Sequence, residues 1–328
     1  MHELGEPASV LRLEEAPDPQ AGAGEVVVRV RAAAANFPDV LLCRGQYQDS
    51  PPLPFTPGVE VCGDVVACGT GVDTVAVGDR VVGTVVLPHG GFAELAVMDA
   101  GFALPAPSSL DDAQGAALTI AYQTGWFALH RRAQLQPGET LLVQAAAGGV
   151  GTAAVQLGAA AGARVIAVVG RTDSADKAAV ARAMGADVVL DRTTDDVVAR
   201  VRELTDGRGV DVVFDPVGGA AYAQAAKVVA FEGRIVVVGF AGGEIPAPAL
   251  NHALVKNYSI VGLHWGLYRF RNPAAVRDCH VELCRLADEG VITPLVSERV
   301  PLEGVPDALQ RLADGRTVGR VVATVHGA

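Results

Sequence analysis

Gln144-Ala145-Ala146-Ala147-Gly148-Gly149-Val150-Gly151 is the stretch that decides the fold of this chain. It follows an apolar run, Thr140–Val143, and leads into a helix-like pattern of small residues, Thr152–Leu157. A strand that turns through glycines into a helix directs backbone N–H groups and a helix N-terminus at a pyrophosphate. The alternative is a glycine-rich turn without a ligand. We predict a dinucleotide site, because a strand, a turn and a helix stand in the required order. Its residues are Ala147, Gly148, Gly149, Val150 and Gly151.

The composition limits the classes of protein that this chain can belong to. Its 328 residues exceed one typical core and predict two domains. Half of the residues are hydrophobic but only 5% are aromatic, so the core consists mainly of Ala, Val and Leu. The formal net charge of -11 argues against a surface for nucleic acid or anionic membrane, because phosphate binding needs clustered Lys and Arg.

The sequence predicts a cytoplasmic location. The first residues show neither the basic start nor the apolar core of a secretory signal. Residues 141–170 are poor in charge, but glycines divide them into strand-length runs, which is typical of buried parallel strands rather than a membrane span. The 5 cysteines form no C-x-x-C pair and are interpreted as core residues or free thiols.

The rhythm of the sequence changes along the chain and predicts an inserted domain. Short strands with glycine turns in the first third, such as Glu25–Arg31, indicate a small β-barrel. From Thr140 to Gly262 strands such as Arg164–Val169, Val210–Asp215 and Arg234–Gly239 alternate with helices such as Ala220–Phe231, which predicts an α/β domain with a doubly wound parallel sheet. The strand-like runs Leu295–Val300 and Gly319–Thr324 are expected to return to the first domain. We therefore assign 1–118 and 264–328 to a catalytic domain and 119–263 to a dinucleotide-binding domain.

The second strand of the dinucleotide domain indicates which cofactor is used. Enzymes that bind NAD usually carry a carboxylate at the end of this strand for the ribose 2′-hydroxyl. Here the strand ends in Val169, followed by Gly170 and Arg171, and Lys177 comes shortly after. Positive side chains at this position suit a 2′-phosphate, so we predict NADPH. The alternative is that Arg171 and Lys177 are ordinary surface charges.

The chain resembles the zinc-free, zeta-crystallin-like quinone oxidoreductases of the medium-chain dehydrogenase/reductase superfamily. The resemblance covers nearly the whole chain and implies a GroES-like barrel that carries an inserted Rossmann domain. It also implies a homodimer, joined at the edge strand near Tyr258–Gly262. The motifs that carry it are Ala35–Asp39, Arg44–Tyr47, Pro57–Glu60, Val77–Val81, Ala145–Gly151, Asp215–Gly219, Val238–Phe240 and His264–Gly266.

Two positions suggest that no metal is bound. Zinc-dependent relatives carry a Cys where this chain has Asn36, and a His where it has Val59. They also have a four-cysteine lobe that is missing here. Because zinc needs three or four ligands in fixed geometry, we predict that this protein binds no metal. Without a Lewis acid, hydride transfer favours acceptors that are already activated, such as quinones and α,β-unsaturated carbonyls.

The resemblance assigns catalytic roles to residues of the first domain. Asn36 is expected to donate to the acceptor or to hold the ribose, and Tyr47 to donate a hydrogen bond or a proton to the developing oxyanion. The alternative for Tyr47 is a loop aromatic that covers the pocket. Asp39 is either an orienting carboxylate or a charge at a helix N-terminus. Glu60 is at least as well explained by a buried ion pair as by a catalytic role.

The resemblance also assigns residues of the second domain to the cofactor. Thr124 is expected at the nicotinamide ribose, and Gly239 and Phe240 beside the nicotinamide ring. His264 and Trp265 are expected to form part of the pocket wall. Arg192 stands where relatives often have a Tyr near the adenine ribose, so it either stacks on adenine, pairs with the 2′-phosphate or is a surface residue.

These expectations lead to a cytoplasmic NADPH-dependent reductase whose active site lies in a cleft between the two domains and takes a small-molecule quinone or enone. A first alternative is an enoyl-thioester reductase acting on a coenzyme A substrate, for which Arg269 and Arg271 are candidate phosphate ligands. A second alternative is an NADPH-binding sensor or structural protein with little turnover.

Overall fold

The computed structural model describes residues 1–170 and 177–325. Their strands are β1 (Glu25–Ala34), β2 (Glu60–Cys68), β3 (Arg80–Thr84), β4 (Leu95–Asp99), β5 (Leu104–Pro105), β6 (Thr140–Val143), β7 (Arg164–Val169), β8 (Val188–Asp191), β9 (Val210–Asp215), β10 (Val229–Val237), β11 (Ser259–Gly262), β12 (Val296–Val300) and β13 (Arg320–Thr324).

The α-helices are α1 (Pro7–Val10), α2 (Phe37–Cys43), α3 (Asp112–Ala116), α4 (Thr119–Trp126), α5 (Gly149–Ala160), α6 (Lys177–Ala183), α7 (Val197–Leu204), α8 (Gly219–Val228), α9 (Leu250–Lys256), α10 (Gly266–Arg271), α11 (Pro273–Asp288) and α12 (Val305–Ala313). A π-helical turn, Phe127–Arg132, follows α4, and a 3-10 turn, Leu302–Gly304, precedes α12. Within the described residues no helix is both long and apolar enough to cross a membrane.

The chain forms two compact units. The first comprises Met1–Ile120 and the segment from His280 onward, and the second comprises Ala121–Cys279. The sequence analysis placed these boundaries at residues 118 and 264. The later boundary at 280 reflects contacts inside the second unit, where the Trp265 indole N–H donates to the Gln123 side chain at 3.0 Å.

The first unit is built on a mixed seven-stranded sheet. Its strands follow the order β12-β13-β1-β2-β3-β5, and β4 pairs with β1. The two C-terminal strands belong to this sheet because β13 pairs antiparallel with β1, Ala33 lying opposite Ala323. Valines that alternate along β1 are buried, and they form the core together with apolar residues of β2, β4 and α12.

The second unit contains a six-stranded parallel sheet, which confirms the predicted doubly wound fold. Its strand order is β11-β10-β9-β6-β7-β8. The order reverses between β6 and β9, and ligands of such sheets bind at this point, beyond the carboxyl ends of the strands. Every residue of β6 is buried, as expected for a parallel strand that is covered on both faces.

Most strands of the second unit agree with the predicted bounds to within one residue, and β10 is the main exception. The helix predicted to reach Phe231 ends at Val228, and β10 begins at Val229 rather than at Arg234. Val229 takes an extended conformation and pairs with Val210 of β9. Pairing with a distant strand therefore overrides the local helical pattern.

Candidate functional site

The glycine turn after β6 has the geometry that a pyrophosphate needs. Ala145 adopts a left-handed conformation with φ 50°, and its carbonyl accepts the Gly148 N–H at 2.9 Å. Helix α5 then begins at Gly149 without a side-chain cap. The N–H groups of a first helical turn have no partner inside the helix, so they are available to an anion.

Gly151 allows this turn to pack closely against the strand. A Cβ at this position would lie 2.2 Å from the Ala145 carbonyl oxygen and 2.8 Å from Ala146 Cα. Gly151 is therefore the glycine of close helix–strand packing in the dinucleotide motif. The residues that follow β6 fit a dinucleotide on this observation.

A positive site lies at the carboxyl end of β7. A Cβ on Gly170 would meet the Arg192 guanidinium at 3.0 Å from Nε, so Arg192 lies directly over this glycine. Burial, and secondarily the charge of Arg192, lowers the pKa of Lys177. Arg192 and Lys177 thus share the place where an NAD enzyme would carry a carboxylate. Arg171 lies outside the described residues.

The residues predicted for the nicotinamide end belong to one unit. Thr124 is buried in α4, and its neighbour Gln123 accepts a hydrogen bond from Trp265. Phe240 is 37% exposed, and its ring lies 2.9 Å from the Cβ position of Gly218 at the start of α8. Gly239 and Phe240 lie in the loop that follows β10, and His264 is exposed beside Trp265.

Asn36 of the first unit sits in a closed network of buried polar groups. Its amide Nδ2 donates to the Ala34 carbonyl at 2.9 Å and to Glu60 at 3.0 Å, and its Oδ1 accepts from Arg320 at 2.8 Å. Both amide N–H bonds are therefore already used. In this arrangement Oδ1 retains acceptor capacity, whereas a donating role would require one of the two bonds to break.

Arg320 and Glu60 form the ionic centre of this network. Arg320 Nη2 lies 2.6 Å from Glu60 Oε2, and the Ile120 N–H donates to the other carboxylate oxygen at 2.6 Å. Burial raises the pKa of the Glu60 carboxyl, and the Arg320 guanidinium opposes that rise. The pair is a buried, charge-assisted contact, in agreement with the structural role considered for Glu60.

Arg320 is the residue that the sequence analysis missed. Its signal was a single charged side chain inside the apolar run Gly319–Thr324, because a charge in a buried strand requires a partner. The partner lies 260 residues away along the chain, so the pairing itself could not be read from spacing.

Asp39 acts on the backbone around Asn36. Its buried carboxylate accepts N–H groups from Asn36 at 2.9 Å, Gly58 at 2.9 Å and Val59 at 3.0 Å. Burial raises the pKa of Asp39 to about 7, although these three hydrogen bonds oppose the rise. Asp39 therefore lies in the first turn of α2 and hydrogen-bonds the loop that leads to Glu60, a position compatible with either role considered for it.

Tyr47 lies in the loop that follows α2 and is partly exposed. No group of three His, Cys, Asp or Glu side chains suited to a metal occurs in the described ranges. In the buried network of the first unit, the amide of Asn36 and the carboxylate of Glu60 already bind the Arg320 guanidinium.

Comparison with known proteins agrees with this architecture. The Alcohol dehydrogenase GroES-like domain family matches residues 22–108, and the Zinc-binding dehydrogenase family matches residues 149–278. The chain is 39% identical to the quinone oxidoreductase-like protein 2 homolog of Nematostella vectensis, over 98% of this chain and 87% of that protein. It is 35% identical to a segment of the mycocerosic acid synthase-like polyketide synthase of Mycobacterium tuberculosis, over 93% of this chain and 14% of the synthase.

A solved structure extends the similarity to the whole fold. The crystal structure of Escherichia coli quinone oxidoreductase complexed with NADPH superimposes with a TM-score of 0.90 at 30% identity and covers 98% of each chain. These matches confirm the predicted GroES-like and Rossmann folds. The chain belongs to the quinone oxidoreductase, zeta-crystallin-like branch of the medium-chain dehydrogenase/reductase superfamily.

Proposed function

We propose that this enzyme is an NADPH-dependent reductase that acts on a quinone or an α,β-unsaturated carbonyl without a metal. The single observation that best supports it is the pair of cations at the carboxyl end of β7, where Arg192 lies over Gly170 beside Lys177. A positive site at this place suits the 2′-phosphate that distinguishes NADPH from NADH.

The other cofactor contacts come from the residues described above. The Ala147–Gly151 turn and the first turn of α5 would hold the pyrophosphate. Thr124, Gly239, Phe240, His264 and Trp265 would border the nicotinamide end. Bound NADPH supplies a hydride equivalent. The chain itself supplies position, exclusion of water and hydrogen bonds.

The network around Asn36 supports the absence of a metal from the proposed mechanism. Zinc sites are built from Cys, His and carboxylate ligands in fixed geometry, whereas this network offers the carboxamide of Asn36 and a Glu60 carboxylate that is already bound by Arg320. Asp39 and Glu60 are positioning residues here, since they fix the backbone and the amide of Asn36.

Activation of the acceptor then depends on hydrogen bonds. Tyr47 is proposed to donate to the oxygen on which charge develops, and water or Tyr47 supplies the proton. An acceptor whose oxygen already takes up charge by conjugation needs less help than a simple ketone. This is the reason to favour quinones and enones over saturated ketones and saturated aldehydes.

An enoyl thioester is a second candidate acceptor within the same chemistry. The observation that favours it is the presence of Arg269 and Arg271 in α10, since these cations suit the phosphates of a coenzyme A substrate. Such a substrate carries the same conjugated carbonyl, so the residues that contact the reacting atoms would be unchanged.

A panel of acceptors tests the proposed reaction. NADPH oxidation is followed with a benzoquinone, a naphthoquinone, an alkenal, a crotonyl thioester and a saturated ketone, each with NADH as the control. The proposal expects turnover of at least one conjugated acceptor, a preference for NADPH and no change on treatment with a chelator. Turnover of the saturated ketone alone, or loss of activity with the chelator, would contradict it.

We also propose a homodimer joined at β11, the outer strand of the parallel sheet. Its Ile260 is 37% exposed, and Leu250, Leu254 and Val255 of the preceding helix α9 are 73%, 76% and 77% exposed. An edge strand beside apolar surface is usually covered. Light scattering should give twice the chain mass, and Leu254→Glu should shift it toward the monomer; a monomeric wild type would refute the dimer.

A cytoplasmic location is part of the same proposal. All 5 cysteines, Cys43, Cys62, Cys68, Cys279 and Cys284, carry free thiols. Free thiols are typical of a reducing compartment. Fractionation of cells that express the tagged protein would test this, and recovery from an oxidising compartment would contradict it.

A further inference from the structure

Two neighbouring helical turns of the second unit carry a cluster of arginines. The π-helical turn Phe127–Arg132 ends in Arg131 and Arg132, and α10 contains Arg269 and Arg271. Neither segment contains an acidic residue. We call these four arginines the basic surface. In a chain whose formal net charge is -11, such a local excess of positive charge requires an explanation.

Aromatic rings join the two segments and contact two of the four arginines. The Phe127 and Tyr268 rings lie 4.3 Å apart between centroids, and Arg131 lies 5.8 Å from the Tyr268 ring. Arg269 lies 5.9 Å from the Trp265 ring. Rings that hold a guanidinium by cation–π contact orient it before any ligand arrives.

Three arginines of the basic surface have no carboxylate partner in the part of the chain that the structure describes, whereas some other arginines of the chain do. Arg234, for example, is 2.7 Å from Glu139, and Arg80 is 2.8 Å from Asp112. Across the described ranges, Arg131, Arg132 and Arg271 form no ion pair with a carboxylate, and all three are exposed. Arg132 donates instead to the Gly262 carbonyl at 3.2 Å. Unpaired guanidinium groups on one surface suit an anion with several charges.

An exposed ring accompanies these charges. Phe270 lies between Arg269 and Arg271 in the sequence and is 75% exposed. Arginines together with an accessible aromatic face are typical of sites that bind a nucleotide, because phosphates pair with the guanidinium groups and the base stacks on the ring. The dinucleotide cofactor has its own phosphate sites at the glycine turn and at Arg192, so the basic surface is available to another molecule.

The basic surface adjoins the residues proposed for the nicotinamide end. Trp265, which Arg269 overlies, donates to Gln123, and Gln123 is the neighbour of Thr124 in α4. A molecule bound at α10 therefore lies near the place where the acceptor must be reduced.

We propose that the basic surface binds the 3′-phosphorylated adenosine diphosphate of a coenzyme A thioester, whose α,β-unsaturated acyl group is the acceptor. This rests on the proposed function, of which it names the substrate class. The C=C bond gains a hydride at the β-carbon and a proton at the α-carbon, NADPH becomes NADP⁺, and the thioester stays intact. An acyl carrier protein is the less suitable donor, because it offers one phosphodiester and no base to stack on Phe270.

Binding of coenzyme A itself, without an acyl group, gives a readout that is independent of turnover. Calorimetric titration is done with NADPH saturating, so that the cofactor site is closed to the added nucleotide. We expect binding that weakens steeply with salt and is lost by about tenfold or more in the Arg131→Glu/Arg271→Glu variant. The matched control is Arg12→Glu/Arg29→Glu, which changes the net charge equally at exposed positions of the first unit. Equal binding by both double variants would overturn the proposal.

The double variant could fail to fold, because Arg131 contacts the Tyr268 ring. The single variant Arg271→Glu avoids this risk, because Arg271 is exposed. This single variant should keep the wild-type melting temperature and still weaken coenzyme A by several-fold. A folded single variant with wild-type affinity, together with an unfolded double variant, would overturn the proposal.

Kinetics separate this inference from the proposed function. Crotonyl-coenzyme A and crotonyl-N-acetylcysteamine present the same α,β-unsaturated thioester, and only the first carries the nucleotide. We expect kcat/KM to be at least about tenfold higher for the coenzyme A thioester, and the double variant to remove this advantage while the small thioester is reduced as before. Equal kcat/KM values, or reduction of a crotonyl group only when it is carried by a protein, would overturn the inference.

The two failures have different signatures. Reduction of quinones without reduction of either thioester leaves the proposed function intact and overturns the acceptor named here. No reduction of any acceptor with NADPH bound overturns the proposed function, and the coenzyme A titration then still decides whether the basic surface binds the nucleotide.

Discussion

The Arg320 guanidinium lies 2.6 Å from the Glu60 carboxylate, and both side chains are buried in the first unit. Arg320 also bonds Asn36, so one buried cation organises the carboxylate and the amide together. The residues around Asn36 thus depend on a strand from the opposite end of the chain.

Removal of the Arg320 cation should destabilise the protein strongly. Arg320→Met leaves Glu60 charged or protonated without its partner, and breaking a buried pair in this way costs about 3–5 kcal/mol. Urea denaturation would measure the loss of unfolding free energy. Arg299→Met is the control, because it breaks an exposed pair with Asp111 and should cost at most about 1 kcal/mol. The double variant Arg320→Met/Glu60→Leu should recover part of the loss, and equal losses for Arg320→Met and Arg299→Met would contradict this account.

The stability of the protein should depend on pH through Asp39. The pKa of Asp39 is about 7 in the folded state, above the usual 3.8 that serves as its unfolded value. The folded state therefore holds a proton that the unfolded chain releases, so the contribution of Asp39 is fully present below about pH 4 and is lost as the pH rises to 7. The linked change is on the order of 4 kcal/mol as an upper limit.

Asp39→Asn tests this dependence. The amide of the variant cannot titrate. Its NH2 group replaces one carboxylate oxygen and cannot accept an N–H group, so at least one hydrogen bond is lost. Urea denaturation at several pH values between 4 and 8 should show a flatter profile for the variant than for the wild type. Parallel profiles for the two proteins would show that Asp39 does not titrate in this range.

Gly151→Ala should weaken both the fold and the cofactor site. The new Cβ would lie 2.2 Å from the Ala145 carbonyl oxygen, so the turn must move, at a cost of about 1–3 kcal/mol. The dissociation constant for NADPH, measured by fluorescence titration, should rise with the loss of stability. Gly262→Ala places its Cβ in open space and should change neither. A Gly151→Ala protein with wild-type affinity and melting temperature would remove the role given to this turn.

Tyr47→Phe tests the proposed hydrogen-bond donor. Loss of a proton donor to the developing oxyanion should lower kcat by about 100-fold, while the dissociation constant for NADPH stays unchanged. Tyr258→Phe serves as the control because Tyr258 is buried in the second unit near His252. A kcat within twofold of the wild type would show that Tyr47 is not the proton donor and would favour the alternative, a loop aromatic that covers the pocket.

The sequence predicts the second unit better than the first. The bounds of β7 and β9 agree with the predicted ones, because both are short, mainly apolar runs rich in Val, as is typical of buried parallel strands. The boundary between α8 and β10 could not be predicted, since Val229 becomes extended through its pairing with Val210.

The sequence selects candidate site residues, but it does not give the geometry in which they lie. Asn36, Asp39 and Glu60 could be chosen from their motifs, whereas the direction of the Asn36 amide depends on Arg320, 284 residues away. The position of Arg192 over Gly170 likewise depends on how β7 and β8 pair. Such contacts arise from the tertiary fold and leave no spacing in the sequence.

The ratio of kcat/KM for NADPH to that for NADH, measured with one quinone, tests the central claim most directly. The account predicts a strong preference for NADPH in the wild type, and in Arg192→Gln a fall of about tenfold in kcat/KM for NADPH with little change for NADH. Arg200→Gln, on the exposed surface of α7, should keep the wild-type ratio. A wild type that prefers NADH, or an Arg192→Gln ratio equal to that of the wild type, would contradict the account.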